Sequence, residues 1–272
     1  MTTQTDKARI FWDLHQSGTF VLPNAWDAGS ARLLTDAGAV AIGTTSAGLA
    51  WANGQKDGSQ VRDIVVANAE QIATATELPV TADFLNGFGD RPEDVADAIH
   101  LAHEAGCVGC SIEDTTGDPD APLYDIGRAT DRITAAIETA NALPNPFVLC
   151  ARADAFFAGV GNLLEVIERL RAFEKVGAPL LYAPVLMSTD AVREVIEAVR
   201  TPINVLVGIG QPYTIADLSD LGVRRISLGS SLYSASMGAL NTAARELLDT
   251  GTFEWSKGAL AYPALQGMMR DT

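Results

Sequence analysis

The sequence predicts an α/β fold, a (β/α)8 TIM barrel carrying additional C-terminal helices, and three observations support it. Short apolar runs alternate with helical segments eight times. Alternation of this kind builds a parallel sheet, and a count of eight favours closure into a barrel. No Gly-x-Gly-x-x-Gly follows the first strand, which weighs against an open doubly wound sheet; Gly208-Ile209-Gly210 is incomplete and reads as a turn. A length of 272 residues without linker or repeat suits one barrel, so residues 1–272 are expected to form a single domain.

The elements follow in order. Residues 6–16 make a short amphipathic helix with Ile10, Phe11 and Leu14 on one side. Strand one is 20–25; Asp27 caps the helix that runs to Ala37, where Gly38 stops it. Strand two, 40–44, leads into a loop rich in Gly, Ser and Ala over 45–58, then a helix through Ile64, Val65, Ala69 and Ile72. Strand three is 79–83, and a helix over 92–105 ends at Gly106. Strand four, 107–113, precedes a loop at 115–127 and a helix at 128–142. Strand five is 147–152, followed by a helix at 161–176, strand six at 180–185 and a helix at 190–199. Strand seven is 203–207, a short helix occupies 214–220, and strand eight is 225–228. Helices at 231–249 and 254–270 end the chain.

Composition narrows the function. Hydrophobic residues make up 47% and charged residues 19%, and no apolar run reaches the roughly 20 residues of a membrane span. Residues 1–7 lack the apolar core of a signal peptide, so the expected compartment is cytoplasmic. A formal charge of −15 speaks against nucleic acid, whose phosphates need a basic footprint. Cys107-Val108-Gly109-Cys110 spells C-x-x-C, but three strand residues span about 10 Å, beyond the roughly 7 Å a disulfide tolerates. These read as buried structural thiols. His15, His100 and His103 fall in helical stretches away from strand ends.

Strand alternation points to the site. Thr81 and Asp83 share a face, as do Ser111 and Glu113, and Cys150 and Arg152, while Val80, Ala82, Ile112, Leu149 and Ala151 face the helices. Charges at three strand ends would gather at the C-terminal mouth of the barrel, where this fold keeps its active sites. Asp83 and Glu113 at neighbouring ends repel unless a positive charge lies between them, and a hard ion such as Mg²⁺ suits their oxygens. The structural alternative is that one carboxylate caps a helix or pairs with Arg152. Asp57 could add a water-mediated metal contact or serve only as a turn residue. Arg152 has the planar fork that grips a substrate carboxylate, or it bridges Glu113 or Asp154. Residues 44–48 offer hydroxyls and backbone N–H groups for a carboxylate or an enolate oxygen.

In order along the chain, these pieces resemble the isocitrate lyase/phosphoenolpyruvate mutase superfamily. The matching stretches are Pro23-Asn24-Ala25-Trp26-Asp27, Gly43-Thr44-Thr45-Ser46-Ala47-Gly48, Asp57-Gly58, Ala82-Asp83 with Gly87-Phe88-Gly89, Ser111-Ile112-Glu113-Asp114, Ala151-Arg152-Ala153-Asp154-Ala155 and residues 222–229. The resemblance implies a Mg²⁺-dependent enzyme, with Mn²⁺ as the alternative ion. It implies that a metal-stabilised enolate is handled on a small 2-oxo acid or related carboxylate, as in a C–C lyase, hydrolase or decarboxylase. By position, Asp83 would bind the metal directly, Asp57 and Glu113 would hold its waters, and Arg152 would grip the substrate. Catalytic roles fall to Arg152 and Asp57, and Thr45, Ser46 and Ala47 would contact the oxo-acid end. The resemblance also implies a homotetramer, with helices over about 231–270 packing on or exchanging with a neighbouring subunit.

Two departures from the family pattern stand out. Leu85 occupies a position that is often acidic, two residues after the metal Asp. After strand four, residues 115–122 contain no Cys, His or Lys, where the lyases carry a Cys-bearing acid loop and the mutases their Lys-Thr-Asn-Ser equivalent. The departures speak against isocitrate lyase, methylisocitrate lyase and phosphoenolpyruvate mutase themselves; Asp118, Asp120 or Tyr124 are candidates to act from a lid, the alternative being that this loop is only a solvated connection. A non-catalytic barrel that binds a carboxylate metabolite, and phosphonopyruvate-type C–P chemistry, are the alternative readings.

Overall fold

Nine parallel strands form one sheet in the computed structural model, which describes residues 2–269. They are β1 (Phe20–Leu22), β2 (Asn24–Ala25), β3 (Ile42–Thr44), β4 (Val80–Asp83), β5 (Gly109–Glu113), β6 (Val148–Arg152), β7 (Leu180–Tyr182), β8 (Ile203–Leu206) and β9 (Arg225–Ser227). The order is β1-β9-β8-β7-β6-β5-β4-β3-β2. The two ends of that list are consecutive in the chain, so the sheet is a nearly closed barrel of eight staves. The expected first strand is split at Pro23, which has no N–H to give a ladder. Its N-terminal half pairs with β9 and its C-terminal half with β3. The Asn24 side chain clasps the seam: its Nδ2 donates to Thr44 O at 2.7 Å, and its Oδ1 accepts from Leu228 N and Gly229 N at 3.0 and 2.9 Å.

The helices are α1 (Gln4–Leu14), α2 (Ala28–Asp36), α3 (Ser46–Ala52), α4 (Arg62–Ala75), α5 (Pro92–Glu104), α6 (Ile126–Ala142), α7 (Leu163–Lys175), α8 (Thr189–Ala198), α9 (Ile215–Asp220), α10 (Ser231–Arg245) and α11 (Tyr262–Met268). Helix α3 lies inside the stretch expected to be loop. Its Gly and Ala content resembles a linker, but Thr45 caps its first turn and Leu49 and Ala50 are buried. Both expected terminal helices are broken: 231–249 becomes α10 followed by a π-helical turn at Glu246–Thr250, and the second holds a 3-10 turn at Glu254–Gly258 and then α11, with Pro263 in its first turn. Arg270, its expected last residue, lies outside the described residues.

Two apolar layers result from the period-2 pattern. Val80, Ala82, Cys110, Ile112, Leu149 and Ala151 face outward into the cluster that includes Ile72, Ile99, Ile133 and Phe173 of the surrounding helices. A smaller cluster fills the N-terminal end of the barrel, where Ala8 and Phe11 of α1 meet Phe20, Leu22, Val108, Val148, Cys150 and Leu180. Ile10, expected on that face, is exposed; α1 begins at Gln4, and the buried positions are Ala8 and Phe11. Gly109 is required there, because a Cβ would lie 2.6 Å from Val148 O and 3.0 Å from the Phe11 ring. All three cysteines are buried and unbridged, and burial pushes the Cys107 thiol up to about 12. Phe11 therefore plugs the barrel, and Phe11→Ala should lower unfolding free energy by about 3–5 kcal/mol in urea titration.

Candidate functional site

Because every strand runs the same way, the C-terminal ends of β4, β5 and β6 present Asp83, Glu113 and Arg152 at one mouth. A cleft of ≈ 1060 Å³ opens there, lined by all three and also by Thr45, Ser46, Ala47 and Asp57. The residues expected to hold the metal and the substrate therefore all line one cavity. Beneath it lies a polar well of ≈ 60 Å³ between the staves, lined by Thr81, Ser111, Asn204, Arg225 and others.

Asp83 is held by the β3–α3 turn. Its Oδ2 accepts from Ser46 N at 3.0 Å and Ser46 Oγ at 2.8 Å, and its own N–H donates to Thr44 Oγ1 at 2.8 Å. The Thr45 hydroxyl accepts from Gly48 N, so Thr45 builds the turn that aims Ser46. Asp57 stands in a Gly58 turn, its Oδ1 accepting from Gly58 N at 2.9 Å. Asp57 is exposed, but the protein around it desolvates the carboxyl, and with the charge of Asp83 this raises it above the usual range.

Arg152 is the centre of the charge arrangement. Its Nη1 meets Glu113 Oε1 at 2.9 Å, its Nη2 meets Asp154 Oδ1 at 2.7 Å, and its Nε donates to the same Asp154 oxygen at 2.8 Å. Both structural pairings anticipated for it thus form together. The guanidinium has five N–H donors, so these bonds leave two for a ligand. Phe157 and Tyr182 place their rings 5.2 and 5.1 Å from its centre. Burial, and the mutual repulsion of the acids around one cation, push Glu113 up to about 8 and Asp154 up to about 6. Thr115 Oγ1 donates to the second oxygen of Glu113 at 2.9 Å, while Asp154 Oδ2 is buried without a hydrogen-bond partner.

Two further arginines support the mouth, and neither was picked out from the sequence. Arg132 of α6, fully buried, donates to Gly89 O at 2.6 Å and to Asn86 O, and stacks 4.3 Å from the centre of the Tyr124 ring. It thereby fixes the loop after β4, where Leu85 and Phe88 hold left-handed φ values of 52° and 65°. Such backbone costs about 1–3 kcal/mol per residue and persists only under restraint. Arg169 of α7 reaches Asp114 Oδ2 at 3.1 Å and Tyr124 O at 2.8 Å, and Asp114 Oδ1 accepts from Asp154 N at 2.8 Å. The signal was present: Ala129, Arg132, Ile133 and Ala136, like Val166, Arg169, Leu170 and Phe173, set an arginine inside an apolar helix stripe.

The acid candidates of the β5–α6 connection are not brought into the cleft lining, which there consists of Thr115, Thr116 and Gly117. Asp118 Oδ1 accepts from Asp120 N within the loop. Tyr124 gives its hydroxyl to Asp90 Oδ1 at 2.6 Å, and burial raises it to about 12. His15 is far from the mouth, edge-on to Phe11 and Phe20, and burial lowers it to about 3. Among the described residues no three His, Cys, Asp or Glu side chains gather as direct ligands of one ion. The donors present are carboxylate and hydroxyl oxygens, a set that fits Mg²⁺ bound through one carboxylate and waters rather than by an all-protein cage.

The phosphoenolpyruvate phosphomutase family matches residues 11–248. The chain belongs to this family, within the isocitrate lyase/phosphoenolpyruvate mutase superfamily. An uncharacterised protein of Mycobacterium tuberculosis is 34% identical over 264 residues, covering 96% of each chain. The Corynebacterium glutamicum protein named probable 2-methylisocitrate lyase 2 is 29% identical over 241 residues, 85% of this chain and 76% of its own. The crystal structure of a provisionally named lyase/mutase from Burkholderia cenocepacia superposes with a TM-score of 0.95 at 43% identity, covering 97% of this chain and 95% of that one. The protein is accordingly an enzyme of this superfamily, whose members carry out C–C lyase, hydrolase or decarboxylase reactions on oxo acids.

Two outcomes follow from the Arg152 cluster. Arg152→Met leaves Glu113 and Asp154 buried with no counter-charge and should cost about 3–5 kcal/mol of stability in denaturant titration. The pH effect has a definite sign. A carboxyl whose folded pKa is raised binds its proton more tightly when folded, so its contribution is full below the unfolded value and disappears as pH rises through the folded one. Stability should fall between about pH 4.5 and 8 because of Glu113. Denaturation midpoints of Glu113→Gln should show a visibly shallower decline over that window than those of the wild type.

Proposed function

We propose that this chain is a Mg²⁺-dependent enzyme of enolate chemistry on a small 2-oxo acid or related carboxylate, of C–C lyase, hydrolase or decarboxylase type, working with Mn²⁺ as a second choice. One observation carries the reading: Asp57, Asp83, Glu113, Arg152 and the 45–47 turn line a single cleft at the barrel mouth. Asp83 would hold the ion, and Asp57 and Glu113 would hold its waters. When bound, the ion supplies Lewis-acid stabilisation of negative charge on the oxo-acid oxygen.

The chain's own groups do the rest. Ser46 fixes the orientation of Asp83 through two hydrogen bonds to one oxygen, leaving Oδ1 turned toward Ser111 Oγ at a loose 3.4 Å. Arg152 offers its two remaining donors to a substrate carboxylate, and its plane is fixed by Asp154 and Glu113. Thr45, Ser46 and Ala47 flank the oxo-acid end.

The same reading assigns the protein to the cytoplasm as a homotetramer. Supporting the assembly, the segment from α10 onward exposes Leu240, Leu248, Phe253, Trp255 and Tyr262, an apolar run that a neighbouring subunit would cover by packing or exchange. No described helix is long and apolar enough to cross a membrane.

Oxalate mimics the pyruvate enolate, and titration calorimetry with it tests the site. Wild type should bind oxalate only with Mg²⁺ or Mn²⁺ present, and Asp83→Ala should lose that heat. Metal-independent binding, or full binding by Asp83→Ala, would overturn the assignment.

A further inference from the structure

The cleft is larger than a three-carbon oxo acid requires, and its walls are of two kinds. At the floor, where Arg152 and Asp83 stand, the lining is polar. Trp51, Val61, Leu85, Phe88, Phe157 and Leu206 line the same cleft, with Phe157 leading from the Arg152 guanidinium, 5.2 Å from its ring centre, toward the apolar side. Several of these side chains are left open to solvent: Val61 is 62% exposed, Phe157 55% and Trp51 40%. Large apolar groups exposed around a concave site mark the position of an apolar ligand group.

The charges of the lining point the same way. With Asp57, Asp83 and Glu113 assigned to the ion, the lining leaves Asp90 as an acid and Arg62 and Arg152 as cations. Arg152 is committed to Glu113 and Asp154, and Arg62 pairs with Asp63 at 3.1 Å. A substrate with a second carboxylate would extend it along a wall of aromatic and aliphatic groups, where Arg62, more than half exposed and paired with Asp63, stands at the solvent side. Burial of that charge without a partner is strongly unfavourable.

We propose that the substrate is a 2-oxo monocarboxylic acid whose C4 carries a hydroxyl or oxo group and an apolar substituent, its acid end at Arg152 and its tail against Leu85, Phe88 and Phe157; breaking C3–C4 leaves the electron pair on the enolate and releases the tail as an aldehyde or, with water, as a carboxylic acid. This rests on the enolate-site reading above and adds the substrate class. Leu85 is the residue that joins the two halves, two positions after Asp83 and held in the left-handed region beside the floor. Each methylene of tail buried there contributes about a fourfold gain in affinity.

The test compares 4-methyl-2-oxopentanoate with 2-oxoglutarate, ligands of like length that differ in an isopropyl against a carboxylate end. Titration calorimetry with Mg²⁺ present, and oxalate as the reference ligand, should show the branched acid binding at least tenfold tighter than 2-oxoglutarate. In Leu85→Asn, which keeps a residue tolerant of the left-handed backbone, that ratio should shrink to about threefold or less. Equal or reversed preference in a protein that binds oxalate overturns the substrate class alone. An unchanged ratio in Leu85→Asn likewise removes the apolar wall as its source. Failure of all three ligands, oxalate included, overturns the enolate site and this inference with it.

Discussion

One guanidinium organises the mouth of this barrel. Arg152 sits at the end of a fully buried strand, where a lone charge would be untenable, and is made tolerable by Glu113 on one side and Asp154 on the other. That pairing fixes more than Arg152. It fixes the end of β5 through Glu113, and through Asp154 it ties β6 to Asp114 and hence to Arg169 of α7. Three acids around one cation also leave an excess of negative charge, counting Asp83. Burial is the larger cause of the raised Glu113 and Asp154, the neighbouring acids add to it, and Arg152 opposes it.

The second constraint is directional. In an all-parallel barrel each strand delivers its last inward residue to the same rim, so chemistry spread over seventy residues of sequence meets without any long loop. Residues on loops then need only small adjustments. Asp57 arrives on the turn after α3, and Ser46 on the first turn of α3 itself. The loop after β4 is the costly part, with two non-glycine residues in left-handed backbone, and it is held by a buried arginine whose hydrogen bonds go to loop carbonyls.

Much of this could be read from the residues alone, for identifiable reasons. The eight-fold alternation and the inward face of each strand depend on period-2 patterning, which is local, and the strand ends at Asp83, Glu113 and Arg152 therefore came out in place. What escaped is what depends on tertiary partners. Helix α3 was hidden by small residues, because Gly, Ser and Ala carry little periodic signal. The break at Pro23 shows only when each half has a different neighbour to pair with. Arg132 and Arg169 lie inside apolar helix stripes, a weak signal for a residue type that is mostly exposed. Asp118 and Asp120 looked available for chemistry and instead fold back on their own loop, while Tyr124 is bonded to Asp90.

The Asn24 clasp has a bearing on how the molecule is made. Its carboxamide joins residues more than two hundred positions apart, from Asn24 to Leu228 and Gly229. Asp83, Glu113 and Arg152 all emerge from the ribosome well before that partner exists. Until β9 and the two residues after it have been made, the Asn24 clasp has no partner on that side and the barrel cannot close; its closure also completes the rim, since Gly229 belongs both to the clasp and to the cleft.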